Sequence, residues 1–226
     1  MGPLKVVLTR EAGKNASLVD WLPDNATYTE VPLTRTKYYE PRMVTHELEF
    51  HERGPFRSLV VTSERSHTYA ALAVAEATSD VQVFSVGPAT TAALESQGLT
   101  VHFEGIGGSL VLAPHVERGP VLVLGARDMR DDLVDALRER GLDVLVVACY
   151  ETVVLSPTET EQAHLRDADI VFIGAPSAWA AAREFVDARA WIVVPGSSTG
   201  AVVAGEHERV IEGWGPHLRE RLANIE

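Results

Sequence analysis

Four short stretches share one composition: Thr62-Ser63, Gly87-Pro-Ala-Thr90, Gly174-Ala-Pro-Ser177 and Gly196-Ser-Ser-Thr199. Each joins the end of an apolar run to the start of a helix-forming one. Small and hydroxyl residues at such a junction leave backbone N–H groups uncovered at a helix N-terminus, where the helix dipole favours negative charge. The turn is then a seat for carboxylate or phosphate. One turn of this kind is an ordinary strand-to-helix cap, but four of them in one chain suggest a ligand with several anionic groups. Thr62, Ser63, Gly87, Thr90, Ser177, Ser198 and Thr199 are therefore candidate binding residues. Arginines stand near the same junctions: Arg10, Arg65, Arg127 and Arg130. A guanidinium can grip a carboxylate through two parallel hydrogen bonds, and Arg10, Arg65 and Arg130 join the candidates.

Other chemistries find less support. Gly196-Ser-Ser-Thr-Gly200 has the spacing of a hydrolase nucleophile elbow. Only His207 and His217 follow it, and there is no room downstream for the acid and base strands that such an enzyme needs. Gly105-Ile-Gly-Gly108 lacks the third glycine of a dinucleotide fingerprint, and no phosphate-binding loop ending in Lys-Ser or Lys-Thr occurs. His46 and His51 are five apart, off the helical spacing of a ligand pair, and read as solvated side chains. No metal-ligand cluster is expected. Cys149 is the single cysteine, which excludes an internal disulfide and fits a reduced cytoplasm; it reads as a small strand residue.

These residues need strands that end where the turns begin. The pattern predicts strands at 5–9, 28–33, 58–62, 81–86, 99–103, 120–124, 142–155, 169–174, 191–194 and 209–212. Helices are expected at 15–22 (with Asn15 as N-cap), 66–77, 88–97, 109–116, 131–140, 159–166, 177–188 and 217–223. Residues 34–55 read as an irregular connector holding at most one short helix. Pro32 marks the second strand as an edge or an end. Strand–helix alternation implies parallel sheets covered on both faces, and ten strands divide into two five-stranded sheets. The run 142–155 is too long for one small sheet. It reads as a strand that finishes one sheet and feeds a second, with Tyr150 and Glu151 at the crossing and a cleft there.

The chain also resembles itself. Leu59-Val-Val-Thr-Ser-Glu-Arg-Ser-His-Thr-Tyr-Ala-Ala and Ile170-Val-Phe-Ile-Gly-Ala-Pro-Ser-Ala-Trp-Ala-Ala-Ala are each followed by a strand and a small-residue turn. A duplication of this kind supports two like domains. One is discontinuous, 1–34 with 152–226, and 37–149 is inserted into it. The length suits two such cores. A formal net charge of −12 argues against a nucleic-acid surface, and no apolar run is long enough for a membrane span.

Taken in order, the motifs resemble the uroporphyrinogen-III synthase family. The resemblance rests on Thr9-Arg10, Val31-Pro32, Val60-Val-Thr-Ser63, and Val86-Gly-Pro-Ala-Thr90 with Ala93-Leu94 and Gly98. It continues through the segment 122–133 with Arg130, Tyr150-Glu151, Ser177 and the turn at Gly196. It implies an α/β protein of two flavodoxin-like domains joined by two connecting strands. It also implies a cofactor-free lyase that closes hydroxymethylbilane, a linear tetrapyrrole with acetate and propionate groups, with inversion of ring D and loss of water. Tyr150 matches the family's cleft tyrosine, which assists departure of the hydroxyl. Ser63, Arg65, Thr90, Arg130 and Thr199 match positions that meet substrate carboxylates. A cytoplasmic monomer follows, with hydroxymethylbilane synthase as at most a transient partner. The chain departs from the pattern at Gly174-Ala175, where Thr-Ser is usual, and at Ser197, where Pro is usual. Those departures leave a non-catalytic tetrapyrrole- or anion-binding paralogue as the alternative.

Overall fold

A computed structural model describes residues 2–42, 46, 55–77 and 80–223. The strands are β1 (Leu4–Leu8), β2 (Ala26–Glu30), β3 (Thr34–Tyr38), β4 (Ser58–Val61), β5 (Gln82–Ser85), β6 (Val101–Glu104), β7 (Val121–Ala126), β8 (Val144–Val154), β9 (Ile170–Phe172), β10 (Trp191–Val194) and β11 (Val210–Glu212). The α-helices are α1 (Ala16–Val19), α2 (His67–Glu76), α3 (Pro88–Glu95), α4 (Asp132–Glu139), α5 (Glu159–Arg166), α6 (Pro176–Ala182), α7 (Ser197–Ala204) and α8 (Leu218–Ala223). The chain divides into two units, Met1–Thr36 with Val153–Glu226, and Lys37–Thr152.

In the first unit, five parallel strands run in the order β11-β10-β9-β1-β2. β2 is one of the two edge strands, and Pro32 follows its end. Central strands covered on both faces read as continuous apolar runs, and β9 and β10 (Ile-Val-Phe and Trp-Ile-Val-Val) do so. Alternate side chains enter opposite cores. Val7, Val171 and Ile192 join Trp179 and Leu165 on one face. Val6, Leu8 and Phe172 join Leu18 and Leu222 on the other.

The second unit has the order β3-β8-β7-β4-β5-β6. From β8 to β6 the strands are the five parallel ones expected, and β3 adds a sixth along β8. The Tyr39 N–H donates to Cys149 O, and the Leu155 N–H to Leu33 O. Numbers rise on one strand as they fall on the other, so β3 lies antiparallel to β8. The unit boundaries fall within these two strands, which makes them the connecting pair. β8 is eleven residues long, shorter at both ends than the apolar run suggested. β3 corrects the reading of 34–38 as irregular chain. It pairs on one side only and exposes Arg35, Lys37 and Tyr38, so it carries almost no apolar signal.

The two sheets share one spatial plan. Positions β2-β1-β9-β10-β11 of the first correspond to β8-β7-β4-β5-β6 of the second, the doubly wound order of flavodoxin. In the second sheet the chain enters at the third position. That is why the internal repeat couples β4 with β9 and β5 with β10.

At the topological switch point a threonine hydroxyl joins the two central strands in each unit. Thr9 Oγ1 donates to Phe172 O at 2.6 Å, and Thr62 Oγ1 donates to Leu124 O at 3.1 Å. The second clasp needs Gly125, because a Cβ there would stand well inside contact distance of Thr62 Oγ1 and also press on Met129 Sδ. Gly125→Ala is expected to cost about 1–3 kcal/mol by overpacking. Chemical denaturation followed by circular dichroism reads the loss, and adding Thr62→Ala should recover part of it.

Local chemistry sets two of the helix limits. Thr158 and Glu161 form a reciprocal capping box that starts α5. α4 buries Leu133, Val134 and Leu137 and ends at Gly141, whose φ of +79° suits glycine. Three expectations are corrected. Residues 109–115 form a 3-10 helix with Pro114 inside it, because proline lacks the N–H that an α-helix requires. α6 stops at Ala182, short of 188. α1 stops at Val19, short of 22; Asn15 holds its N-cap position as expected, but its side chain makes no cap bond and is buried with both polar atoms unpartnered among the described residues.

Candidate functional site

The strand ends place the candidate residues on the carboxyl edge of each sheet, where open α/β sheets bind ligands. In the second unit, β4 leads into Thr62 and Ser63. The Thr62 hydroxyl donates its proton within the sheet, so a ligand could use only its lone pairs. Ser63 is extended (φ −161°, ψ 144°) and begins the 3-10 turn Glu64–Ser66, its side chain accepting the Arg65 N–H at 3.3 Å. That turn aims Arg65 along the edge, and its guanidinium carbon lies 5.6 Å from the centre of the Tyr150 ring. Tyr150 is 5% exposed. Its ring is tilted against Tyr38 at 6.2 Å, and its hydroxyl has no hydrogen-bond partner among the described residues.

β5 leads through Gly87 into α3. Pro88 occupies the first turn, and the Thr91 N–H returns to Gly87 O. Thr90 is buried in that turn, and the Ala89 and Thr90 N–H groups are first-turn donors with no partner inside the helix. α3 packs against the turn carrying Arg65, which brings the first two candidate seats together.

Arg130 is different. It is bonded to Asp132, and its side chain is 81% exposed. Among the described residues its side-chain partner is Asp132, away from Tyr150. Arg127 is the nearer cation: its N–H donates to Tyr150 O at 2.8 Å, because Ala126 pairs with Tyr150 across β7 and β8. The side chain of Arg127 reaches Glu151 Oε2 at 3.2 Å.

Glu151 was marked in the sequence only as Tyr150's neighbour, yet it is the polar centre of this edge. Lys37 Nζ donates to Oε1 at 2.8 Å, and Tyr39 OH donates to Oε2 at 3.0 Å. Lys37, then Tyr39, and with them Arg127, hold its carboxyl down to about 2, well below the usual carboxylate range. Its partners come from two segments distant in the chain from it and from each other, so no local spacing could reveal it. A depressed carboxyl stabilises the fold above its unfolded value of about 4.5 and ceases to do so as pH falls toward 2. Glu151→Gln should therefore increase hydrogen exchange in β3 and β8 at neutral pH, and the difference from the parent should vanish near pH 2.

Tyr69 supports the same strand from below: its hydroxyl donates to Tyr39 O at 2.6 Å. Burial pushes its phenol up to about 12.

In the first unit, Arg10 follows β1 with its guanidinium carbon 5.4 Å from the Trp214 ring. Both lie beside the turn after β9, with Arg10 Cγ and Trp214 Cη2 each 3.5 Å from where a Cβ on Gly174 would stand. Ala175 precedes α6 with no side-chain cap, and Ser177 is half-buried in its first turn. This turn is therefore lined by an indole and an arginine where Ser63 lines its counterpart. At the start of α7 Ser198 is exposed and Thr199 buried. His207, one candidate base for an elbow serine, contacts Ala190 O at 2.8 Å and packs edge-on to Trp179. Neither contact leads to Ser198. His46 is exposed, and His51 lies outside the described residues. Cys149 is buried in β8. Among the described residues no three His, Cys, Asp or Glu side chains gather as metal ligands, and no helix is long and apolar enough to cross a membrane.

The family model described as uroporphyrinogen-III synthase HemD matches residues 24–207. A mutant uroporphyrinogen III synthase from the extremely thermophilic bacterium Thermus thermophilus is similar in structure, with a TM-score of 0.63 and 17% identity over 97% of this chain and 96% of that one. Uroporphyrinogen-III synthetase from Helicobacter pylori gives a TM-score of 0.62 and 18% identity over 97% and 98%. At such identities these likenesses concern the fold. No curated protein matches the chain.

Proposed function

The chain belongs to the uroporphyrinogen-III synthase HemD family, and from that premise we propose that it is a hydro-lyase that closes hydroxymethylbilane to uroporphyrinogen III. The observation that carries this reading is the Arg65 guanidinium over the buried Tyr150 ring at the carboxyl edge of the second unit. Beside it lies a helix N-terminus with open donors.

The reaction asks for little covalent chemistry from a protein. Loss of hydroxide leaves an azafulvene cation stabilised by its own pyrrole; ring D is then inverted through a spiro intermediate as the macrocycle closes. The protein must hold a flexible polyanion and fix which carbon attacks, a task of orientation and electrostatics. In this proposal Tyr150 donates a hydrogen bond to the departing hydroxyl. Arg65 grips a substrate carboxylate, and the Ala89 and Thr90 N–H groups seat another. Thr199 and Arg10 are the matching candidates at the carboxyl edge of the first unit. A phenol is a weak acid, so its help is worth about one neutral hydrogen bond. Tyr150→Phe is expected to slow turnover by a factor of roughly 2–10. Complete loss in a folded variant would contradict the assisting role.

The test is incubation with porphobilinogen and its deaminase, followed by oxidation and separation of the uroporphyrin isomers. Type III in excess over the enzyme-free control supports the proposal. One observation favours a second reading, a non-catalytic anion binder: the turn at Gly174-Ala175 has no hydroxyl and is flanked by Arg10 and Trp214. Type I alone from folded protein would select it.

A further inference from the structure

We propose that the amino edge of the first unit's sheet carries a second anion site, built for a compact multivalent oxyanion. The segments leading into β9, β10 and β11 enclose a cavity of about 340 Å³ there, within the usual range of ligand pockets, roughly 300–1,000 Å³. It lies at the opposite end of the strands from Arg10, Ser177 and Thr199, so it is separate from the seats described above.

The charges lining it divide into satisfied and unsatisfied groups. Arg189 is held by Asp187 through a two-pronged bridge, Nε to Oδ1 at 2.9 Å and Nη2 to Oδ2 at 3.1 Å. Asp167 takes Lys5 Nζ at 2.7 Å, and Asp169 takes the Lys5 N–H at 2.8 Å. Asp187 and Asp167 are thus paired with cations, whereas Asp169 takes only a backbone N–H and keeps its charge. Arg166 and Arg209 have no carboxylate partner among the described residues. Arg166 lies over Phe185 and donates to the neutral Gln162, whereas Arg209 lies over Trp191 and donates to Arg189 O. Each guanidinium is positioned by an aromatic ring while its charge is left uncompensated. Two such cations on one cavity wall match a phosphate or a small polycarboxylate.

The experiment titrates the full chain with inorganic phosphate and, separately, with citrate, by calorimetry and by tryptophan fluorescence. Saturable one-to-one binding is expected. Tighter phosphate binding assigns the site to phosphoryl groups, and tighter citrate binding assigns it to carboxylates. Arg166→Ala and Arg209→Ala should each weaken it about tenfold, the effect of one lost charge-assisted hydrogen bond. Arg209→Lys, which keeps the charge and removes the fork, should weaken it as well and guards against misfolding of the alanine variant. Absence of saturation with both anions, or affinity unchanged in folded Arg166→Ala and Arg209→Ala, overturns the proposal. The isomer assay is independent of either result.

Discussion

Phe172→Ala is expected to destabilise the first unit by about 3–5 kcal/mol, the usual cost of emptying a buried aromatic site. Among the described residues Phe172 is the largest fully buried side chain. It stands in β9 at the centre of the sheet, between Val6, Leu8 and Leu18 on its face and 6.4 Å from the Trp214 ring. Its carbonyl accepts both the N–H and the hydroxyl of Thr9, so a cavity there also loosens the clasp between β1 and β9. The measurement can be specific to this unit. All four tryptophans, Trp21, Trp179, Trp191 and Trp214, belong to it, so a fluorescence-monitored denaturation curve reports the first unit alone. The midpoint should fall sharply in fluorescence, whereas hydrogen exchange in β4 and β7 should change little. Equal loss in both units would mean that they unfold as one.

Arg65→Ala is the corresponding expectation for activity. Losing a charge-assisted grip on a substrate carboxylate costs about 1.5–3 kcal/mol, or roughly 10–150-fold in kcat/KM. A uniform binding contact raises KM and leaves kcat alone, which separates Arg65 from Tyr150, whose replacement by Phe should lower kcat. Arg65→Lys should fall between the two forms, since it keeps the charge but loses the planar fork and the stacking on Tyr150. Unchanged kinetics in Arg65→Ala would remove Arg65 from the site. Steady-state rates with freshly generated hydroxymethylbilane make the comparison.

The sequence by itself determined the elements whose side chains are covered on both faces. β4, β7, β9 and β10 stand out as apolar runs closed by small or hydroxyl residues, because burial fixes residue type at every position of a central parallel strand. The doubled pattern and the turns that could seat anions were legible for the same reason: they depend on neighbours in the chain. Tyr150 could be singled out because a run too long for one sheet marks a crossing. β3 was not legible, since it pairs on one side and leaves most of its side chains in water. Nor was Glu151, whose partners Lys37, Tyr39 and Arg127 approach it only when β3 and the end of β7 are laid along β8. The different placements of Arg130 and Arg127 have a similar origin. Both follow β7, and only the pairing of Ala126 with Tyr150 decides which one faces the edge. Local propensity and burial are written residue by residue, whereas register and the meeting of distant charges exist only in the folded chain.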